Sequence, residues 1–407
     1  MRKGVLYAFV LVVAMLAALG VVILSSAGDV NGMRLHGDPY YFMKRQLTFL
    51  AAGIVLAAAA AAFDYRRWRN QWLLTAVFFA AVFALLVAVF GFRAINGSHR
   101  WLPVGPLRLQ PSEFAKLATV IALAVYLDRI AWRVELFTRG ALAGSIILAF
   151  MAGPVCLEPD FGSTMVIALV GFLVMWESGV RFLHLLPIGG AGLAVVGALI
   201  LSNANRMARI LEFLGTSATS VGAGASVTEA AKVAAEYQAK MALVAISRGG
   251  LCGVGLGESM QKQAYLPEAH TDFIFAVGAE ELGFFFSLAV VVLFALFFIL
   301  SMRIALAARD NFGRCLVMGM AFIIFFQASF NLGVVCKALP TKGMALPFFS
   351  YGGTNLMCTF LAVGTILSVG IRSLQPDRVR KVRRRRPEES EGEGADGGRE
   401  GGGAEGE

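Results

Sequence analysis

Leu266–Gly283 reads LPEAHTDFIFAVGAEELG, and it is where a polar segment about 70 residues long gives way to apolar sequence. Glu268, His270 and Asp272 fall within five residues, and Glu280 and Glu281 follow inside the apolar run. Ionisable groups at a membrane boundary are costly to place, so their density here points to a task. A carboxyl group held away from bulk water can act as a proton acceptor near neutral pH. The plain alternative is a charged helix start, with Thr271 or Asp272 as N-cap and acidic side chains favoured by the helix dipole.

Outward from this stretch the chain reads as membrane protein. Of its 407 residues 57% are hydrophobic and only 15% are charged, with mean hydropathy +0.70. A helix crosses about 30 Å of hydrocarbon with roughly 20 apolar residues. Runs of that kind recur at 5–25, 46–63, 72–92, 113–128, 140–157, 163–177, 184–202, 273–301, 314–334 and 353–371. The expected fold is therefore an all-α polytopic bundle of about ten transmembrane helices, with a long outer loop between spans 7 and 8. The N-terminal span reads as a retained signal anchor.

Lys and Arg gather in cytoplasmic loops. Arg2 and Lys3, Arg66 to Arg69, Arg129 to Arg139, Arg303 to Arg314 and the basic run 378–386 share one side, which places both termini in the cytoplasm. Arg93, Arg100, Arg108, Lys240, Lys262, Lys337 and Lys342 break the rule on the outer side, where an anionic ligand would account for them. Residues 1–372 form one membrane domain, without a transporter-like internal repeat. Residues 373–407 turn basic and then Glu/Gly-rich, as expected of a disordered cytoplasmic tail that lies first against anionic lipid. A nucleic-acid partner is not expected.

Further patches stand out along the chain. Glu113 and Lys116 in QPSEFAK share a helix face at i and i+3, behind a helix start at Pro111 and Ser112. Trp101 reads as an interfacial anchor. Glu158 and Asp160 break the apolar sequence, either as a tight outer turn or as a site for a hard cation. Glu229–Ser247 has the composition of an amphipathic helix, with Val233, Tyr237, Met241 and Val244 at helical spacing. The glycines from Gly249 to Gly257 lack the ending of a phosphate-binding loop and read as tight irregular backbone. Leu339–Thr354, LPTKGMALPFFSYGGT, cannot continue a helix and suits a structured segment lining a groove. No cysteine spacing suggests zinc, and Cys252 with Cys336 is the one candidate disulfide.

Taken in order, GSHRWL, QPSEFAK, EPDFGST, YQ followed by AISRGG, LPEAHTDFIFA with EELG, and PTKG with LPF and SYGG resemble the SEDS proteins of shape, elongation, division and sporulation. The likeness spans nearly the whole membrane domain, and PTKG resembles the cell-division branch typified by FtsW. The chain departs at SYGGTN, where the family commonly has SYGGSS. The resemblance implies a peptidoglycan glycosyltransferase that polymerises lipid II at the outer face of the cytoplasmic (inner) membrane during septal wall synthesis. It implies Asp272 as the catalytic residue, Glu113 and Lys116 in support, and Arg100, His270, Lys342 and Ser350 as substrate contacts. The pyrophosphate leaving group suits a divalent cation, Mg²⁺ or Mn²⁺, of unknown ligands, with no organic cofactor. The implied partners are a class B penicillin-binding protein transpeptidase and other division proteins. Competing readings are a lipid II transporter (flippase), an elongation-type enzyme typified by RodA, and an inactive scaffold.

Overall fold

The computed structural model describes residues 3–92, 100–105, 107–158, 160–201, 207, 225–263, 269–340 and 343–374. The proposed tail beyond Leu374, Glu268 and Lys342 lie outside the described residues. The chain is helical almost throughout. In order come α1 Lys3–Ala27, α2 Asp29–His36, α3 Tyr41–Ala62, α4 Arg66–Asn70 and α5 Trp72–Ala88. A small hairpin follows, β1 Leu102–Val104 with β2 Leu107–Leu109 antiparallel, pairing Leu102 with Leu109. Then come α6 Pro111–Arg129, α7 Ala143–Leu157, α8 Phe161–Glu177, α9 Phe182–Leu201, α10 Ala225–Gly249, α11 Ile274–Leu306, α12 Asn311–Val335 and α13 Gly353–Leu374. The hairpin is the one departure from an all-α fold among the described residues.

Among the described residues, seven helical segments are long and apolar enough to cross a membrane, against the ten expected. The difference has a chemical reason. Helices α8 and α9 are apolar but count as shorter. Helix α6 is long enough, yet it carries Glu113, Lys116 and Asp128, and it is buried along nearly its whole length. A helix enclosed by protein can hold polar groups that lipid would reject. At the other extreme, α3 and α5 bury only 17% and 22% of their apolar windows and turn Ile54, Val55, Leu73 and Val77 outward. Those side chains form the apolar surface that a bilayer solvates.

The loop expected between spans 7 and 8 holds a full 25-residue helix, α10, packed against α11. Its buried face is Ala239, Ala242, Ala245 and Gly249, while Tyr237 and Val244 are exposed. Of the larger apolar residues noted in the sequence, Tyr237 and Val244 lie off this contact, and the two helices approach through small side chains. Past α10, the glycine-rich segment is irregular as expected, with Gly250, Gly253, Gly255 and Gly257 all at positive φ. It docks on a break in α11, where Gly283 has φ 74°. Val254 N–H donates to the Glu280 carbonyl at 3.0 Å, and Phe284 N–H donates to that of Gly250 at 2.9 Å. All five cysteines are free, so Cys252 and Cys336 form no bridge.

Candidate active site

A cavity of about 230 Å³ lies where α6, α8, α12 and α13 meet two non-helical segments, Ala269–Asp272 and Gly343–Tyr351. Helix α6 opens with Pro111 in its first turn, where a missing N–H costs nothing. That start aims Glu113 and Lys116 into the cavity as a buried ion pair, Lys116 Nζ to Glu113 Oε2 at 2.8 Å. Asn355 Nδ2 donates to the same Glu113 oxygen at 3.1 Å. Asn355 belongs to the SYGGTN departure, so the substituted position still serves the site.

The EPD turn forms the next wall. Asp160 caps α8 by accepting from Ser163 N–H at 3.4 Å, and its other oxygen accepts from Gln110 Nε2 and Ser112 Oγ, both at 3.4 Å. Turn and helix start are thereby tied together. Arg100 lines the cavity and its Nε donates to the Glu158 carbonyl at 3.5 Å. The Glu158 side chain is fully buried, with neither carboxylate oxygen hydrogen-bonded. Burial, helped by the neighbouring charge of Asp160 and opposed by Arg100, pushes its carboxyl up to about 8. Trp101 also lines the cavity rather than anchoring at an interface.

Asp272 completes the lining. It does not cap α11: that position falls to Phe273, which has no side-chain cap hydrogen bond, and Thr271 does not cap either. Asp272 thus stands one residue before the cap, at the start of α11, and lines the cavity. Gly343 lies directly against it, close enough that a Cβ there would collide with Oδ2.

Of the residues singled out from sequence, Arg100, Glu113, Lys116 and Asp272 come together around one cavity. His270 and Ser350 do not line it. The His270 ring packs 4.5 Å from Phe42 and lies 3.4 Å from Asn31 Nδ2, while its carbonyl accepts from Tyr351 N–H at 3.0 Å. Ser350 is buried and bonds backbone on both sides of the site. Lys262, expected among the outer cations, is buried instead, bonded to Ser26 and Asp29 at 3.0 Å and within 3.5 Å of Glu281. Glu280 accepts from Ser259 Oγ and the Met260 and Gln261 N–H groups. The acidic pair of α11 thus holds the segment 259–262 in place and is not part of the cavity.

Sequence reading missed Gln327, which lines the cavity, and Asn331 one turn further along α12. Two amides at i and i+4 in an otherwise apolar span were a usable signal, since polar side chains at membrane depth face protein or a cavity. Among the described residues no three His, Cys, Asp or Glu side chains converge as a metal cage.

The arrangement offers a carboxylate on one wall, a guanidinium on another and a neutralised ion pair between. It suits proton removal from a hydroxyl opposite a departing anion. The chain matches the cell cycle protein family that groups FtsW, RodA and SpoVE over residues 7–374. It is 37% identical over 363 residues to a protein of Trichlorobacter lovleyi described as "Probable peptidoglycan glycosyltransferase FtsW", covering 88% of this chain and 91% of that one. It is 35% identical to stage V sporulation protein E of Bacillus subtilis, covering 88% and 95%. Among solved structures, one from a study of polymerization and crosslinking by a peptidoglycan synthase complex superposes with TM-score 0.70 at 29% identity, covering 91% and 98%. The rod shape determining protein RodA of Thermus thermophilus superposes at 0.65 with 27% identity and the same coverage.

Proposed function

The chain belongs to the cell cycle protein family of FtsW, RodA and SpoVE, and from that membership we propose that it is a peptidoglycan glycosyltransferase of cell division that polymerises lipid II. The observation that carries the site assignment is the placement of Asp272 on one cavity wall with Arg100 and the Glu113–Lys116 pair. The reaction joins a sugar hydroxyl of one lipid-linked molecule to the anomeric carbon of another. One C–O bond forms, the C–O bond to pyrophosphate breaks, and the hydroxyl proton goes to Asp272. Arg100 faces the same space and would attract the departing pyrophosphate. A cavity of about 230 Å³ is smaller than a typical whole-ligand pocket, so it serves the reacting ends while the lipid chains lie outside it.

A divalent cation, Mg²⁺ or Mn²⁺, belongs to the proposal as a charge carried mainly on substrate oxygens, because the described residues assemble no cage for it. When bound it would neutralise the leaving pyrophosphate. The finer assignments are of the same standing: both termini in the cytoplasm, location at the septum, and a class B penicillin-binding protein as partner. Lys342, next to Gly343 in the sequence, is proposed to contact substrate or to couple to that partner.

The test is polymerisation of lipid II by purified protein. Asp272→Asn keeps the shape and removes the ionisable oxygen, so the rate should fall by about 10² or more. Near-normal turnover by a folded Asp272→Asn protein would remove the base assignment. Movement of lipid II without polymer would mark a transporter instead.

A further inference from the structure

One buried amide in α12 joins the two segments that carry the reactive wall. Asn331 is 2% exposed and stands in an apolar helix. Its Nδ2 donates to the Asp272 carbonyl at 2.7 Å and to the Met344 carbonyl at 2.6 Å. An amide nitrogen has two hydrogens, and both are used; the amide oxygen could not face two carbonyl oxygens, so the orientation is set by the network. Ser350 makes a second tie between the same segments. Its Oγ donates to the Thr271 carbonyl at 2.5 Å and accepts from Leu346 N–H at 2.7 Å. Gly343, one residue before Met344, has no side chain and so leaves room for the Asp272 carboxylate.

Building on the reading of Asp272 as proton acceptor, we infer that Asn331 is a positioning residue for glycosyl transfer: together with Ser350 it staples Ala269–Asp272 to Gly343–Ser350 and so sets where the carboxylate meets the incoming hydroxyl. Neither segment has a helix or sheet ladder to hold it. The α11 cap begins only at Phe273, so the Asp272 carbonyl precedes the helix and is held by Asn331, beside the Tyr351 N–H bond to the His270 carbonyl at 3.0 Å. A 25-residue helix held through its own backbone bonds, α12 supplies a regular reference for two otherwise irregular segments. Loss of such a tie acts on geometry: a shift of about 1 Å in a catalytic group can cost about 10²-fold in rate.

Asn331→Asp preserves size and replaces the double donor with an acceptor. It should lower kcat for lipid II polymerisation by about 10²-fold and leave KM nearly unchanged. Ser350→Ala, a gentler change, should lower kcat in the same direction. The decisive readout is background dependence. In an Asp272→Asn protein, adding either change should leave the residual rate as it was, since no proton acceptor remains to misplace; a further fall of tenfold or more overturns the inference. Hydrogen exchange supplies a readout independent of turnover. Exchange in Asn331→Asp should rise at 269–272 and at 343–350 together while the flanking helices hold, and unchanged exchange in either segment also overturns it. Wild-type protein that fails to polymerise lipid II would count against the proposed activity, whereas the exchange result would still decide whether the staple exists.

Discussion

Glu113 and Lys116 show what a single pair contributes when water is excluded. Both are almost fully buried, at 6% and 2% exposure, so removing one partner strands a charge at a cost of about 3–5 kcal/mol. Reversing either alone should nearly abolish folded, active protein. Reversing both should restore activity by at least tenfold over the product of the singles, measured as a double-mutant cycle in lipid II polymerisation. Recovery will be incomplete, because Asn355 Nδ2 donates to Glu113 and would then face a lysine. Glu158 gives a pH prediction. Burial raises its carboxyl from 4.5 to about 8, so the fold favours the protonated form. The stability it contributes is complete below about pH 4.5, declines as pH rises, and is gone above about 8. Glu158→Gln cannot ionise, so its melting temperature should fall less than that of the wild type between those limits. Parallel melting curves that never diverge would contradict the assignment.

Among elements, the junction of α10, the glycine segment and the broken α11 is the most demanding. Gly283 interrupts α11 with φ 74°, and the irregular segment before it bonds to the carbonyls of Glu280 and Glu281. Gly253 and Gly257 both have positive φ, at 81° and 90°. Only Gly253 lies against backbone, where a Cβ would collide with the Glu281 carbonyl; at Gly257 the space is open. Alanine at either position carries the left-handed penalty of about 1–2 kcal/mol. Gly253→Ala adds the collision, so its midpoint in thermal denaturation should drop clearly further than that of Gly257→Ala. Equal drops would mean that the segment moves aside. The glycine run already reads as irregular backbone in the sequence, but the helix break that receives it is not marked there, since helix-forming residues flank Gly283 on both sides.

Across the whole molecule, the polar interior is built from helices that a hydropathy scan ranks unevenly. Helix α6 is too charged for a lipid-facing span, and of its charged residues Glu113 and Lys116 line the cavity while Asp128 and Arg129 lie at the other end of the helix. Lys342, outside the described residues, precedes Gly343 in the sequence. Lys342→Ala should reduce lipid II polymerisation without lowering the amount of protein in the membrane. Assays with and without the transpeptidase partner separate its roles: a defect in both indicates substrate contact, and a defect only with partner indicates coupling. Unchanged rates in both would leave it a headgroup anchor.

Membrane class, membership in an enzyme family and the Glu113–Lys116 contact are legible along the chain, because apolar run length, ordered motifs and i,i+3 spacing need no knowledge of the packing. Tertiary structure alone decided which polar residues share the cavity. Asn331 meets Asp272 across 59 positions, Ser350 meets Thr271 across 79, and Lys262 meets Ser26 across 236. Such pairings depend on how each helix is rotated about its axis and on where irregular loops settle against it. That is why Lys262 proved to be a buried tie, Trp101 a cavity wall and Ser350 a staple: side-chain chemistry states what a residue can bond, and packing selects the partner.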